Sequence, residues 1–188
     1  MITNETITSV LNRRSTRVFE PEQIKDEELE TIIQAGLFAP SAHNDQSWHF
    51  TVIQSKDIID LLSAETKAIL GKSGDAYGEK FAKSEKFHIF YNSPTVILVS
   101  GRKDALVPEI DCSAAIENML IAAESINVGT CWIGFIAYLF KSGEGEELKK
   151  TLNIPEGYEP FNAVSVGYKK IVSSKAPKRR ENTVTYIK

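Results

Sequence analysis

At 188 residues, with 42% hydrophobic and 25% charged, the chain can bury a sizeable core as a single domain over 1–188. A formal net charge of -3 excludes general attraction to nucleic acid or anionic membranes, and no stretch is long and apolar enough to span a bilayer. Met1–Glu5 opens no signal peptide, so a cytoplasmic protein with no nucleic-acid or membrane partner is expected.

Thr3 or Asn4 caps a first helix, whose Ile7, Val10 and Leu11 recur at helical spacing and which ends near Arg13. Arg13-Arg14-Ser15-Thr16-Arg17 follows, ahead of an extended Val18-Phe19. Three guanidiniums and two hydroxyls in five residues suit a phosphate grip through bidentate hydrogen bonds. The same cluster also suits a solvated face at a helix C-terminus. After a turn over Pro21–Lys25, Asp26 caps a second helix with Leu29, Ile32, Ile33, Gly36 and Leu37 on its apolar face. Glycine there costs about 1 kcal/mol against alanine, which implies that something approaches its backbone closely.

Pro40 stops that helix, and the loop beyond it carries Ser41, Asn44 and Gln46 before Trp48, Phe50 and Val52 open a period-2 strand, Trp48–Gln54. A polar loop pinned by large apolar side chains is a plausible ligand cradle. Ser55 or Asp57 then starts a helix that buries Ile58, Ile59, Leu61, Leu62, Ile69 and Leu70. Gly71-Lys72-Ser73 looks like the end of a P-loop, but Thr66 stands where the first glycine belongs and a helix precedes it, so triphosphate binding is rejected. Gly71–Gly78 reads as a loop. Glu79–His88 reads as a charged helix turning aromatic at Phe87, Phe90 and Tyr91, a pattern that serves core or pocket.

Thr95–Ser100 has the continuous apolar run of a strand buried on both faces. Gly101–Pro108 connects it to Ile110–Asn127, a helix apolar nearly all round, which its own domain or a second subunit must cover, and which Gly129 closes. Thr130–Phe135 is extended, and Gly134 would let a flat ligand reach the backbone. A short helix over Glu144–Leu152, a strand over Pro160–Tyr168, a basic tail (Lys175, Lys178, Arg179, Arg180) and a β-prone run, Thr183–Ile187, complete the chain. Cys112 and Cys131 lack metal or redox spacing, and His43, His49 and His88 form no metal-ligand set, so no metal is expected.

In this order, Arg13 through Phe19, Ala35 through Ser41, Asn44 through Phe50, Asn92-Ser93-Pro94, Asp111–Ala123, Trp132-Ile133-Gly134, Gly167-Tyr168 and Lys178-Arg179-Arg180 carry a resemblance to the FMN-dependent nitroreductase family, nearly end to end. The resemblance implies an α+β fold, a central mostly antiparallel sheet flanked by helices, built as an interwoven homodimer with FMN at the interface. It implies that Arg13, Ser15 and Arg17 hold the phosphate, ribityl and ring oxygens, with Arg14 in support and Lys178 and Arg180 returning to the phosphate. Ser41, Ala42 and Asn44 would line the flavin from the other subunit, and the backbone at Ile133 and Gly134 would face N5. His43 and His88 are the candidates for the substrate side. Where the family has proline before its tryptophan this chain has Ser47, which either loosens the loop or adds a hydrogen bond. The short Gly101–Ile110 connection leaves the acceptor site open, or covered by Tyr77–Tyr91.

The implied activity is hydride transfer from NADH or NADPH through FMN to a small flat acceptor such as a nitroaromatic or quinone, with no obligatory acid/base side chain. Alternatives are dehalogenation or enoate reduction, or a flavin-storage or flavin-sensing dimer with negligible turnover.

Overall fold

The computed structural model describes residues 2–172 and 176–188; Lys175 of the basic tail lies outside them. Its helices are α1 (Glu5–Asn12), α2 (Asp26–Leu37), α3 (Lys56–Leu70), α4 (Ala76–Ala82), α5 (Pro108–Ser125), α6 (Ile136–Lys141) and α7 (Glu146–Thr151). Its strands are β1 (Trp48–Ile53), β2 (Thr95–Arg102), β3 (Val128–Ile133) and β4 (Tyr158–Tyr168). They form one antiparallel sheet in the order β1-β2-β4-β3, the expected α+β arrangement. Among the described residues no helix is long and apolar enough to cross a membrane.

Alternation along the central strands divides the core into two layers. Ile97, Val99, Val164 and Val166 pack with Trp48 against α2 and α5, while Val96, Leu98 and Ala163 pack with Cys131 and Ile133 against α3 and α6. With helices on both faces, every β2 residue from Thr95 to Gly101 is buried. Gly36 has the close neighbour its sequence position implies, since a Cβ there would lie 2.3 Å from Met119 Cε on α5.

Several local expectations give way to competing hydrogen bonds. Lys25, not Asp26, is the N-cap of α2, because the Glu28 carboxylate accepts the Lys25 N–H at 2.9 Å. Asn127 at φ +62°, not Gly129, turns the chain out of α5. The helix expected over Glu79–His88 forms earlier, because the Asp75 side chain accepts the Tyr77 N–H at 3.1 Å and so caps α4. Beyond Ala82, Ser63 Oγ and His88 Nδ1 take the Ile89 and Phe90 N–H groups, and side chains replace the helical ladder. Helix α6 is too short to announce a period, yet Ile136, Leu139 and Phe140 are buried. Leu37 stays exposed, and Thr183–Ile187 forms no strand; Val184, Tyr186 and Ile187 face solvent.

Strand β3 is an edge of the sheet, and the segment after α1 covers it: Ser15 pairs in parallel with Thr130, and the Thr16 N–H donates to Thr130 O at 2.8 Å. Phe19 pairs with Lys169 just beyond. Gly129 permits this approach, because a Cβ there would sit 2.8 Å from Thr16 Oγ1 and 2.9 Å from its Cγ2. Gly129→Ala should therefore lower unfolding free energy by about 1–3 kcal/mol in urea denaturation, the usual cost of overpacking. A loss below about 0.5 kcal/mol, the range of neutral surface changes, would show that the segment yields freely.

Candidate functional site

The pairing with β3 places the basic segment in a cleft of about 470 Å³, lined by Arg14, Ser15, Thr16 and Arg17 with Asn12 and Lys169 among its other walls. Arg14 braces the end of α1: its Nη1 donates to Leu11 O at 2.9 Å and to Arg13 O at 2.6 Å, while its buried Nε has no partner. Among the described residues the arginine paired with carboxylates is Arg102; Arg13 and Arg17 have no acidic partner. Lys169 is neutralised by Glu124 at 2.8 Å. What remains in the cleft is the guanidiniums of Arg14 and Arg17, unpaired with carboxylates among the described residues, and the hydroxyls of Ser15 and Thr16, a donor set for an anion.

The Arg17 guanidinium lies over the Tyr91 ring, 5.7 Å from its centroid. Burial, the largest single influence, pulls its pKa down, but the Tyr91 hydrogen bond together with the charges that Cys131, Tyr91 and Tyr77 can carry outweighs it, so the pKa is raised and the group stays charged. Tyr91 also belongs to a neighbouring recess of about 210 Å³, lined by Ile89, Trp132, Ile133, Gly134 and Phe135. A Cβ at Gly134 would meet only Asn162 Oδ1, at 3.7 Å, so the backbone there is open to a flat partner. The fold thus brings the Arg13–Arg17 segment together with Ile133 and Gly134. Beneath them Cys131 is buried; burial raises its thiol pKa, against the lowering pull of Arg17, Ser15 and Arg13, so it packs as a thiol.

Tyr77, Phe81, Phe87 and Phe135 form a wall beside Gly134, with the Phe81 ring centroid 4.9 Å from Tyr77, 4.8 Å from Phe87 and 6.0 Å from Phe135. Tyr138 O–H donates to Asp75 at 3.1 Å and ties this wall to α6. Of the alternatives for the acceptor side, an open face or a cover from Tyr77–Tyr91, the second is where the aromatic side chains gather.

The remaining expected residues lie elsewhere. Ser41, Ala42, His43 and Asn44 precede β1, at the opposite edge of the sheet from β3. Their loop is held by Asp111 on α5, whose carboxylate accepts the Ala42 N–H at 2.9 Å and the Ser47 O–H at 2.7 Å. Ser47 thus adds a hydrogen bond where the resemblance led one to expect proline. Arg102 Nη2 donates to both Asp45 oxygens, at 2.7 and 2.8 Å, while His43 and Asn44 are exposed at φ +55° and +57°. Lys178 and Arg180 are exposed on the tail, and Lys178 pairs with Glu181 at 2.7 Å. His88 turns away from the recess toward Asp60, its Nε2 3.3 Å from Oδ1. Sequence reasoning missed Asp111 as the loop's anchor; an acidic residue in the most apolar helix was its signal.

Residues 10–168 match the model of the nitroreductase family. An Archaeoglobus fulgidus relative with the provisional name NADH dehydrogenase/NAD(P)H nitroreductase is 31% identical over 170 residues, 88% of this chain and 86% of its own. A Bacillus subtilis FMN reductase [NAD(P)H] is 28% identical over 192 residues, covering 97% of this chain and 73% of that one. A Bacteroides fragilis nitroreductase structure with bound FMN is 30% identical and covers 99% of this chain and 100% of its own, with a TM-score of 0.91.

Removing the Ser47 hydroxyl leaves one oxygen of a buried carboxylate without its donor. Ser47→Ala should cost about 1–3 kcal/mol of stability and loosen the Ser41–Asn44 loop. Denaturant midpoints together with amide exchange at Ala42 measure both effects; a variant as stable and as protected as the parent would remove Asp111 from the role of anchor.

Proposed function

Because this chain belongs to the nitroreductase family, we propose that it is an NAD(P)H-dependent FMN oxidoreductase serving small flat acceptors such as nitroaromatics or quinones. The observation that carries this reading is the Thr16–Thr130 pairing together with the Arg17 guanidinium over Tyr91, which lines one recess with Gly134. The residues present fit FMN. Among the described residues Arg13 and Arg17 lack acidic partners and the Arg14 Nε is buried without an acceptor, while Gly134 leaves room for a ring. When bound, FMN supplies the two-electron chemistry between nicotinamide and acceptor.

The chain's own tasks are binding, orientation and electrostatics. Arg13, Ser15 and Arg17 would hold the phosphate, ribityl and ring oxygens, with Arg14 bracing them and Lys178 and Arg180 returning to the phosphate from the tail. Arg17, fixed over Tyr91, would favour negative charge on a bound flavin through a preorganised positive field. Ile133 and Gly134 present main chain to the reactive edge. The wall of Tyr77, Phe81, Phe87 and Phe135 limits water and selects flat partners. On the exposed loop His43 would be the candidate for the substrate side.

Ser41, Ala42 and Asn44 sit across the sheet from Arg17, so a second copy of the chain would bring them to the flavin. Exposed Leu106, Ile110, Ile171, Val172 and Tyr186 support a homodimer, because so much apolar surface favours a partner. The chain then works as a single FMN-binding unit per subunit.

Anaerobic visible spectra of the purified protein, before and after NADH and then NADPH, test the reading. A flavin band that bleaches rapidly, followed by repeated turnover with a quinone, is expected. A colourless protein that takes up no FMN would overturn the assignment, and a flavin that nicotinamide scarcely reduces would mark storage instead. Arg13→Ala should loosen FMN by about 10–100-fold, the worth of one charge-assisted hydrogen bond, with the dimer intact by sedimentation.

A further inference from the structure

The turn after α4 contains two left-handed residues that are not glycine, Tyr91 at φ +55° and Asn92 at φ +54°. For an aromatic residue this conformation is uncommon and persists only where its surroundings hold it. One side chain supplies much of the hold. His88 Nδ1 accepts the Phe90 N–H at 3.1 Å and the Asn92 N–H at 3.4 Å, so it bonds the backbone on both sides of Tyr91. Since Nδ1 accepts, Nε2 carries the proton and donates to Asp60 Oδ1 at 3.3 Å. Ser63 and Ser165 fasten the same turn through the Ile89 N–H and Phe90 O, both at 3.0 Å. Tyr91, the residue so held, is the one beneath the Arg17 guanidinium.

We propose that His88 is a positioning residue for the flavin site: accepting two backbone N–H groups at Nδ1, it fixes Tyr91, and Tyr91 fixes the guanidinium of Arg17. This rests on the flavin reading above, and it gives His88 a task away from the substrate. The relay requires a neutral imidazole, because a second proton on Nδ1 ends its capacity to accept. The charged groups facing the ring are Asp60, Lys56 and Lys67, all from α3. Burial, the largest influence, lowers the His88 pKa below its ordinary 6.5, the Asp60 hydrogen bond opposes it, and the two lysines add to the lowering. Stability linked to the neutral ring is therefore complete above pH 6.5 and is lost as pH falls from there through the lowered folded value.

The test measures FMN affinity of the holoprotein by the flavin fluorescence regained on dilution, across neutral to acidic pH. His88→Leu, which removes the acceptor, should loosen FMN about tenfold at neutral pH, the equivalent of one net hydrogen bond. His88→Asn, whose Oδ1 can take the place of Nδ1 without titrating, should stay near the parent at neutral pH and weaken less on acidification. In an Arg17→Gln background the effect of His88→Leu should largely vanish, since the relay ends at Arg17. Equal weakening by both His88 variants, or a full effect of His88→Leu without Arg17, would reduce His88 to packing and overturn the proposal. If His88→Leu fails to fold, the pH profiles of the parent and His88→Asn decide, and identical profiles overturn it. A parent protein that binds no FMN would instead sink the flavin reading itself.

Discussion

The free edge of β3 is the constraint on which the site depends. An edge strand presents unpaired N–H and C=O groups that something must satisfy or screen. This chain uses the basic segment for it, with Thr16 buried against Thr130 and Gly129 trimmed to let it approach. The same contact that completes the sheet margin fixes the arginines. Arg14 folds back on the end of α1 while Arg17 lies over Tyr91, a wall of the recess that Gly134 opens.

The electrostatics follow from that placement. Ion pairs neutralise Lys169 and Arg102, while among the described residues Arg13 and Arg17 are left without carboxylates. Arg17 is steadied by an aromatic face, which positions a cation without cancelling it. On the proposed reading such a site needs no proton-transferring dyad, because the bound redox group would bring the reactivity and a fixed positive charge would tune it. On the proposed reading the aromatic wall and the Asp111-anchored loop would address the two other requirements, shape and cover, from opposite edges of the sheet.

Asp111 and His88 show a common device. Each is a polar group in a largely apolar setting that takes two hydrogen bonds from a loop of unusual backbone conformation: His43 and Asn44 in one, Tyr91 and Asn92 in the other. Buried acceptors are costly unless satisfied, and here the loops satisfy them. The loops are thereby specified more tightly than their exposure alone would suggest.

The separate helices and strands were legible in the residues, because periodicity acts through nearest neighbours along the chain, while their α+β arrangement was what the family resemblance implied. The doubly buried run Thr95–Ser100, the apolar helix after Pro108, the tight contact at Gly36 and the basic cluster after α1 could all be read from spacing and residue type. Lys25 as the cap of α2, Asn127 as the end of α5, the early start of α4 and the short α6 could not, since side-chain hydrogen bonds and tertiary burial settled them. Likewise, which arginines stay unpaired, what lies under Arg17 and what holds the Ser41–Asn44 loop depend on residues brought together from distant parts of the chain. Sequence order determined the elements and the donor chemistry. Only the tertiary structure decided which donors converge, because convergence is set by strand order and edge pairing, and those are properties of the whole sheet.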